Sequence, residues 1–352
     1  MSSQSKQLWD RLKIFKKWWE VVLSNRKLPP IMLVLGFALS FAIPMFGLVD
    51  PYVQLILIYV GINIILTTSL NLINGYMGEF SVGHAGFMAV GAYISAMLTT
   101  QVIPDQWLVW TFPLVVLAGG LGAAIAGFLV ALPSFKTRGD YLAIVTLAFL
   151  MIVKSVIENI EVIGGPRGIP GIDKLTTLPW AFFWTVLTVW VIRNFVYSNF
   201  GRGVLAIRED EIASDLMSVN TRQTKMLAFL ISSFFAGVAG ALFAHVLQFI
   251  SPRVFDIIKS TDILIMVYLG GIGSIAGSII GGTLYTVMLE VLRPLGMWRM
   301  VLMPLVLVIL MIYRPRGIMG LREFRWFIPG YYQLASKLWR QKKEASDASS
   351  NQ

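Results

Sequence analysis

The chain has no cysteine among its 352 residues, which excludes disulfides and thiolate metal sites. Histidine is almost as scarce: only His84 and His245 occur, and they form no metal-ligating motif. Charge is thin as well, at 14% of residues against about 25% in an ordinary soluble domain. No GxxxxGK phosphate loop, HExxH helix or GxSxG elbow is present. Phosphate-loop ATP hydrolysis, zinc proteolysis and serine acyl transfer are therefore not expected of this chain. Movement of a solute becomes the default, with no catalytic, cofactor-binding or metal residue expected.

What is abundant is apolar surface, at 56% of residues. A soluble fold of this length cannot hide so much, so lipid is the natural solvent. The apolar residues also come in blocks near the roughly 17–25 residues that cross a bilayer. The expectation is all-α: a polytopic membrane helical bundle of about ten transmembrane segments with glycine-broken helices. The predicted spans are 31–49, 52–73, 82–100, 108–132, 141–163, 178–196, 224–250, 261–269, 275–292 and 300–313. They divide the chain into a basic amphipathic N-terminal segment (1–30), a permease-type membrane domain (31–320) and a polar C-terminal tail (321–352). The first segment alternates Lys6, Arg11, Lys13, Lys16 and Lys17 with Trp9, Ile14, Phe15, Trp18 and Trp19, as a helix lying on a membrane face does.

The net charge of +10 is explained by topology, not by nucleic acid. With both termini cytoplasmic, inside segments carry 22 Lys and Arg and outside segments 6, the asymmetry that orients membrane proteins.

Two glycine-rich breaks stand out, "NLINGYMGEFSVGHAG" and "YLGGIGSIAGSIIGG". Interrupted helices in corresponding halves point to a transport pathway, here Ser81, Gly83, His84, Gly86, Gly271 and Gly273. In one reading Ser81 caps a helix whose free N–H groups face an anionic group such as an amino-acid carboxylate. In the other, Gly83, Gly86, Gly91 and their neighbours let a second helix approach closely. Likewise His84 is a ligand or a hydrogen-bonded structural residue. Glu79 caps the turn or sits in water.

Small residues also repeat on single faces elsewhere: Gly119, Ala123 and Gly127, then Ser233, Gly237 and Ala241, with Ala236, Gly240 and Ala244 beside the latter. They suit tight helix pairs in lipid. Intramembrane charge is sparse. Lys154 and Glu158 either pair at i, i+4 or snorkel outward, and Glu290 lies near Arg293. No acidic relay crosses the membrane, which counts against a proton-driven carrier. The segment "ENIEVIGGPRGIPGID" is an outer loop, either a partner surface or a plain connector.

The remaining feature is a charged, helix-prone island, "AIREDEIASDLMSVNTRQTK", between two apolar spans. Glu209, Glu211 and Asp215 need solvent or a partner: the island is either a solvated loop or, since apolar Ile212, Leu216 and Met217 and small Ala213 and Ser214 are mixed in and Arg208 precedes them, a short helix that docks in a groove. The island resembles the EAA-type coupling loop of ABC-importer permeases. With "GYMGEFSVGHAGFMAVGAY", "TRGDYLAIVTLAF", "GGPRGI" and "YRPRGIMGL" in order, residues 71–321 resemble the LivM-type permeases of branched-chain amino-acid importers. Ser214 stands where that motif carries its second Ala, and Ser218 where it carries Gly, which takes a positive φ more readily.

The resemblance implies a bacterial inner-membrane subunit with two cytoplasmic ABC ATPases that bind ATP and Mg. It also implies a second, LivH-like permease and a periplasmic or extracellular solute-binding protein. Arg208, Glu209, Glu211, Ile212, Ala213, Ser214, Leu216 and Ser218 would form the ATPase-coupling element, and the cargo would be leucine, isoleucine or valine. Related urea permeases keep urea and short amides as an alternative. A stand-alone channel, an ion-driven carrier and a membrane scaffold or enzyme are the rivals from other classes.

Overall fold

A computed structural model describes residues 28–135, 141–314, 317–320, 322–324 and 327. The basic amphipathic segment, most of the C-terminal tail and residues 137–140 of "TRGDYLAIVTLAF" lie outside the described residues. The chain divides into two units, one made of its two ends (Met1–Ser40 with Glu323–Gln352) and one running Phe41–Arg322. Helix α1, Leu28–Phe46, begins in the first unit.

The larger unit is a helical bundle. Its helices are α2 (Pro51–Asn71), α3 (His84–Met97), α4 (Leu108–Ser134), α5 (Tyr141–Asn159) and α6 (Leu178–Val196). Two short helices follow, α7 (Asn199–Glu209) and α8 (Glu211–Leu216). Then come α9 (Thr221–Leu247), α10 (Ile257–Gly270), α11 (Ile275–Val291) and α12 (Arg299–Tyr313). Counting the wider turns that extend α2 to Met77 and α3 to Val102, six of these are long and apolar enough to cross a membrane: α2 to α6 and α9. The other predicted spans correspond to α1, whose apolar stretch is Leu33–Phe46, and to the shorter helices α10, α11 and α12.

Helix α2 is the axis of the bundle. Pro51 opens it at a position where its missing N–H is not needed, and Asp50 caps it by accepting from Tyr52 N at 2.8 Å. From Gly61 to Met77 every residue is buried. Peripheral helices bury one stripe only. On α5 the stripe is Leu142, Thr146, Leu150 and Ile157, and on α6 it runs through Ala181, Trp184, Thr188, Ile192 and Val196. Their other faces, and that of α4 with Trp110, Leu114, Leu121, Ile125 and Leu129, present large apolar side chains outward. Such a surface is stable only against lipid or another apolar partner.

The small-residue faces do what the sequence predicts. A methyl group added to Gly237 on α9 would meet Ala123 and the Gly119 carbonyl of α4, and one on Gly240 would meet the Met88 carbonyl of α3. The two small faces of α9 thus hold two different neighbours at backbone distance. Dispersion at that range and the absence of side-chain ordering make this the favoured way to join helices in lipid.

The predicted outer loop is a folded cap. Ile169–Pro170 (β1) pairs antiparallel with Phe249–Ile250 (β2), and Thr176 Oγ1 donates to the Leu242 carbonyl at 2.9 Å. Lys154 does not pair with Glu158. It reaches Asp256, just before α10, at 3.0 Å.

Candidate functional site

The charged island folds as two helices with a break between them. Ser198 caps α7, accepting from Gly201 N at 3.2 Å. Asp210 is extended, with φ −159° and ψ 112°; its Oδ1 caps α8 by accepting from Ala213 N at 3.0 Å. Asn220 caps α9 in the same way, accepting from Gln223 N at 3.0 Å. Three polar caps in 23 residues explain why the chain turns sharply here instead of continuing one helix. Ser218 completes the turn at φ 64°, the left-handed conformation that a glycine takes more easily. Thr221 Oγ1 donates to Asp215 at 2.8 Å and Ser214 Oγ to the Asp210 carbonyl at 2.7 Å, so α8 is held at both ends.

The two halves of the island differ. Helix α7 anchors itself through buried Val204 and Ile207. Helix α8 presents Ile212 and, at its end, Leu216 and Met217, which are 63%, 81% and 79% exposed. Ala213 is exposed beside them and Ser214 faces inward. Three exposed large apolar residues on two turns of helix make a row that nothing else in the described chain covers.

The helix is also wired to the first glycine break. Lys225, its side chain 8% exposed, sits 2.6 Å from Glu79 and 2.9 Å from Glu211. Glu79 is therefore neither a cap nor solvated; it is one arm of a bridge. Glu211 is the other arm and does not project freely. A nearly buried ammonium is costly to desolvate, and two carboxylates offset that cost only while both remain in place. Arg208 adds a second tie: its Nη1 donates to the Gly75 carbonyl at 3.2 Å and its Nη2 pairs with Glu209 at 2.8 Å. Its aliphatic stem covers Gly78, where φ is +77°.

The two glycine breaks meet, although about 200 residues separate them. Asn71 Oδ1 accepts from Gly273 N at 2.9 Å, and its Nδ2 donates to the Ser274 carbonyl at 2.9 Å and to Ser278 Oγ at 2.7 Å. A methyl on Gly75 would strike Gly273 N. Gly271 is at φ 134° and Gly273 at φ 74°. The "GIMG" segment, 317–320, closes the same turn: Ile318 N donates to the Leu269 carbonyl and Met319 N to that of Gly270, each at 3.0 Å.

The α3 N-terminus lies deeper. Ser81, Gly83, His84 and Gly86 are packed among the chain's own helices. Asn74 Oδ1 accepts from Ser81 N at 3.1 Å. The N–H of Val82 donates to Thr146 Oγ1 at 3.2 Å, and that of Ala85 to Ser260 Oγ at 3.1 Å. Gly83 lies against the Thr146 backbone, and His84 Nε2 is 2.8 Å from Ser69 Oγ. Side chains of α5 and α10 thus occupy the helix end that an anionic group would otherwise face. Asn71, Asn74, Thr146 and Ser260 are the residues that sequence reasoning misses here. Thr146 is a lone polar residue in an apolar run, Asn71 and Asn74 sit in "TTSLNLING" and Ser260 in "KSTD", and residue type is the only signal available.

Comparisons with known proteins agree with this architecture. The family model described as branched-chain amino acid transport system, permease component, matches residues 52–313. The high-affinity branched-chain amino acid transport system permease protein LivM of Escherichia coli K12 is 35% identical over 82% of this chain and 73% of its own. The LivM protein of Salmonella typhimurium LT2 is 35% identical over 73% of this chain and 68% of its own, and the LivH permease of that strain 24% over 74% and 91%. No solved structure matches the chain. With a buried helical axis, glycine breaks that interlock and a short helix offered at one end, this chain belongs to the family of branched-chain amino acid transport permease components.

Proposed function

We propose that this chain is the membrane subunit of an ATP-driven importer of branched-chain amino acids, and that α8 is where two separate ABC ATPases grip it. The observation that carries the reading is the exposed row Ile212, Leu216 and Met217 on a helix tied by Lys225 to the turn that precedes α3. A push on α8 then moves Glu79 and the glycine hinge with it, instead of bending a loose loop. Closing of the ATPase pair on ATP and Mg supplies that push; this chain supplies the lever and the path.

The similarity to a LivH permease, alongside the stronger one to LivM, supports assembly with a second, related permease about a pseudo-two-fold axis. A solute-binding protein delivers the amino acid at the opposite end. The excess of basic residues in the segments sharing the α8 end supports a cytoplasmic placement for it and for both chain ends, in a bacterial inner membrane.

The test is reconstitution with a LivH-type permease, ABC ATPases and a solute-binding protein from the same organism. ATP-dependent leucine uptake into proteoliposomes, lost on omitting the ATPases, is expected. Uptake without ATP, or transport of urea but not leucine, would replace this reading. So would labelling of a cysteine placed at Ser218 by an impermeant reagent outside intact cells.

A further inference from the structure

At the far end from α8, two opposite charges lie one turn apart on α10 and do not close on each other. Lys259 and Asp262 are both half-buried. Spaced i, i+3, they are placed to pair. Instead the Lys259 ammonium sits over the Phe243 ring of α9, 5.3 Å from its centroid, and Asp262 accepts a hydrogen bond from Tyr285 of α11. Among the described residues no carboxylate lies within 4.0 Å of the Lys259 nitrogen. Ionisable side chains inside a bundle in lipid are expensive, face its interior or a cavity, and mark substrate and ion pathways.

The surroundings are selective. Tyr59 of α2 packs on Phe243 with ring centroids 6.2 Å apart, and Phe255 lies 6.2 Å from the same ring. Cation, anion and aromatic wall therefore come together from α2, α9, α10 and α11. The cation favours a carboxylate, the anion an ammonium, and the rings an apolar group. One molecule carrying all three is a hydrophobic amino acid in its zwitterionic form.

We propose that Lys259 and Asp262 form a zwitterion station on the translocation path, with Lys259 taking the α-carboxylate, Asp262 the α-ammonium, and Tyr59 and Phe243 the side chain. This rests on the reading that the chain moves amino acids, and it names residues that the glycine-break pattern does not. The two charges are held apart by Phe243 and Tyr285, so the incoming ion pair replaces contacts with rings and a hydroxyl and breaks no salt bridge.

The test uses the reconstituted importer, with Lys259→Met, Asp262→Asn and the double variant. Each single change is expected to lower ATP-driven leucine uptake about tenfold, and the double variant at least as far. A merely structural pair behaves oppositely, because removing both charges relieves the one left unpaired. Recovery of uptake in the double variant, or unaltered uptake in either single one, overturns the proposal. If the methionine variant fails to assemble, Lys259→Cys provides the only thiol of a chain without cysteine. With thiol-free partner subunits, a reagent adding an aminoethyl group is expected to raise uptake and one adding a sulfonatoethyl group to lower it. Equal effects of the two overturn the proposal. A wild-type complex that assembles and moves no amino acid at all sinks the functional reading instead, and is told apart by that control.

Discussion

The two ends of the bundle handle charge in opposite ways. At the α8 end a lysine is nearly buried and saturated, with Glu79 and Glu211 both on Lys225. At the other end Lys259 is half-buried and has a ring for company. A saturated charge transmits force, because moving one partner drags the others against a desolvation cost. An unsaturated one binds, because its electrostatic capacity is still free. The same residue type thus acts as a rivet at one end and a receptor at the other, and the difference lies in what each is allowed to touch.

The comparison breaks first if the backbone joint between the ends is forced open. Gly83→Leu drives a side chain into the Thr146 backbone, which cannot yield as a side-chain tip can. Overpacking costs about 1–3 kcal/mol where neighbours can shift and more where they cannot. Complete loss of uptake and of a monodisperse complex in size-exclusion chromatography is expected. Normal uptake would mean that α3 is not seated against α5.

Next in size is the rivet. Lys225→Met strands two carboxylates, and breaking a fully buried pair costs about 3–5 kcal/mol. Glu211 is partly solvated, so about 2 kcal/mol is expected, read as a lower melting temperature. The sharper signature is uncoupling: ATP hydrolysis continues while uptake falls. Leu216→Asp gives the converse pattern. That side chain is 81% exposed, so stability is expected to hold while the ATPases no longer co-purify. If Leu216→Asp unfolds the protein and Lys225→Met does not, the roles assigned to the two are reversed.

How much of this was legible in the sequence depends on the range of the interaction. Spans read from hydropathy reappear as α2 to α6 and α9, because lipid imposes length and apolarity on each helix separately. The small-residue faces were legible for the same reason: Gly237 and Gly240 declare a close neighbour without saying which one. The caps of α8 and its exposed row are local, so the island could be read as a separate short helix with apolar residues turned outward. Asn71 could not, because its partners are about 200 residues away and one more polar residue in "TTSLNLING" carries no address. Lys225 and Glu79 were visible as charges, and their pairing was not. Lys154 shows the error that follows: the nearest acid in sequence, Glu158, was not the one the fold supplied.

Smaller effects refine the contrast. Ser218 holds a left-handed backbone at φ 64°, which costs a non-glycine residue about 1–2 kcal/mol. Ser218→Gly is expected to recover up to about 1 kcal/mol after the added flexibility of glycine in the unfolded chain is subtracted, seen as a slightly higher melting temperature. A lower one would mean that the serine hydroxyl matters to the turn.

The smallest expected effect concerns Asp256, on the receptor side yet itself paired. The Ile257 backbone N–H holds its carboxyl below the usual range, and Lys154 adds to this. A carboxylate with a depressed folded-state pKa contributes stability that is full above its ordinary pKa near 4 and lost as pH falls through the lower folded value. Its side chain is 32% exposed, so the pair is worth no more than about 0.2–1 kcal/mol. Asp256→Asn is therefore expected to melt slightly below wild type at pH 7, with the gap closing as pH drops below about 4. A gap that persists in acid would show that the asparagine oxygen caps Ile257 less well than the carboxylate does, and that the charge on Asp256 is not the cause.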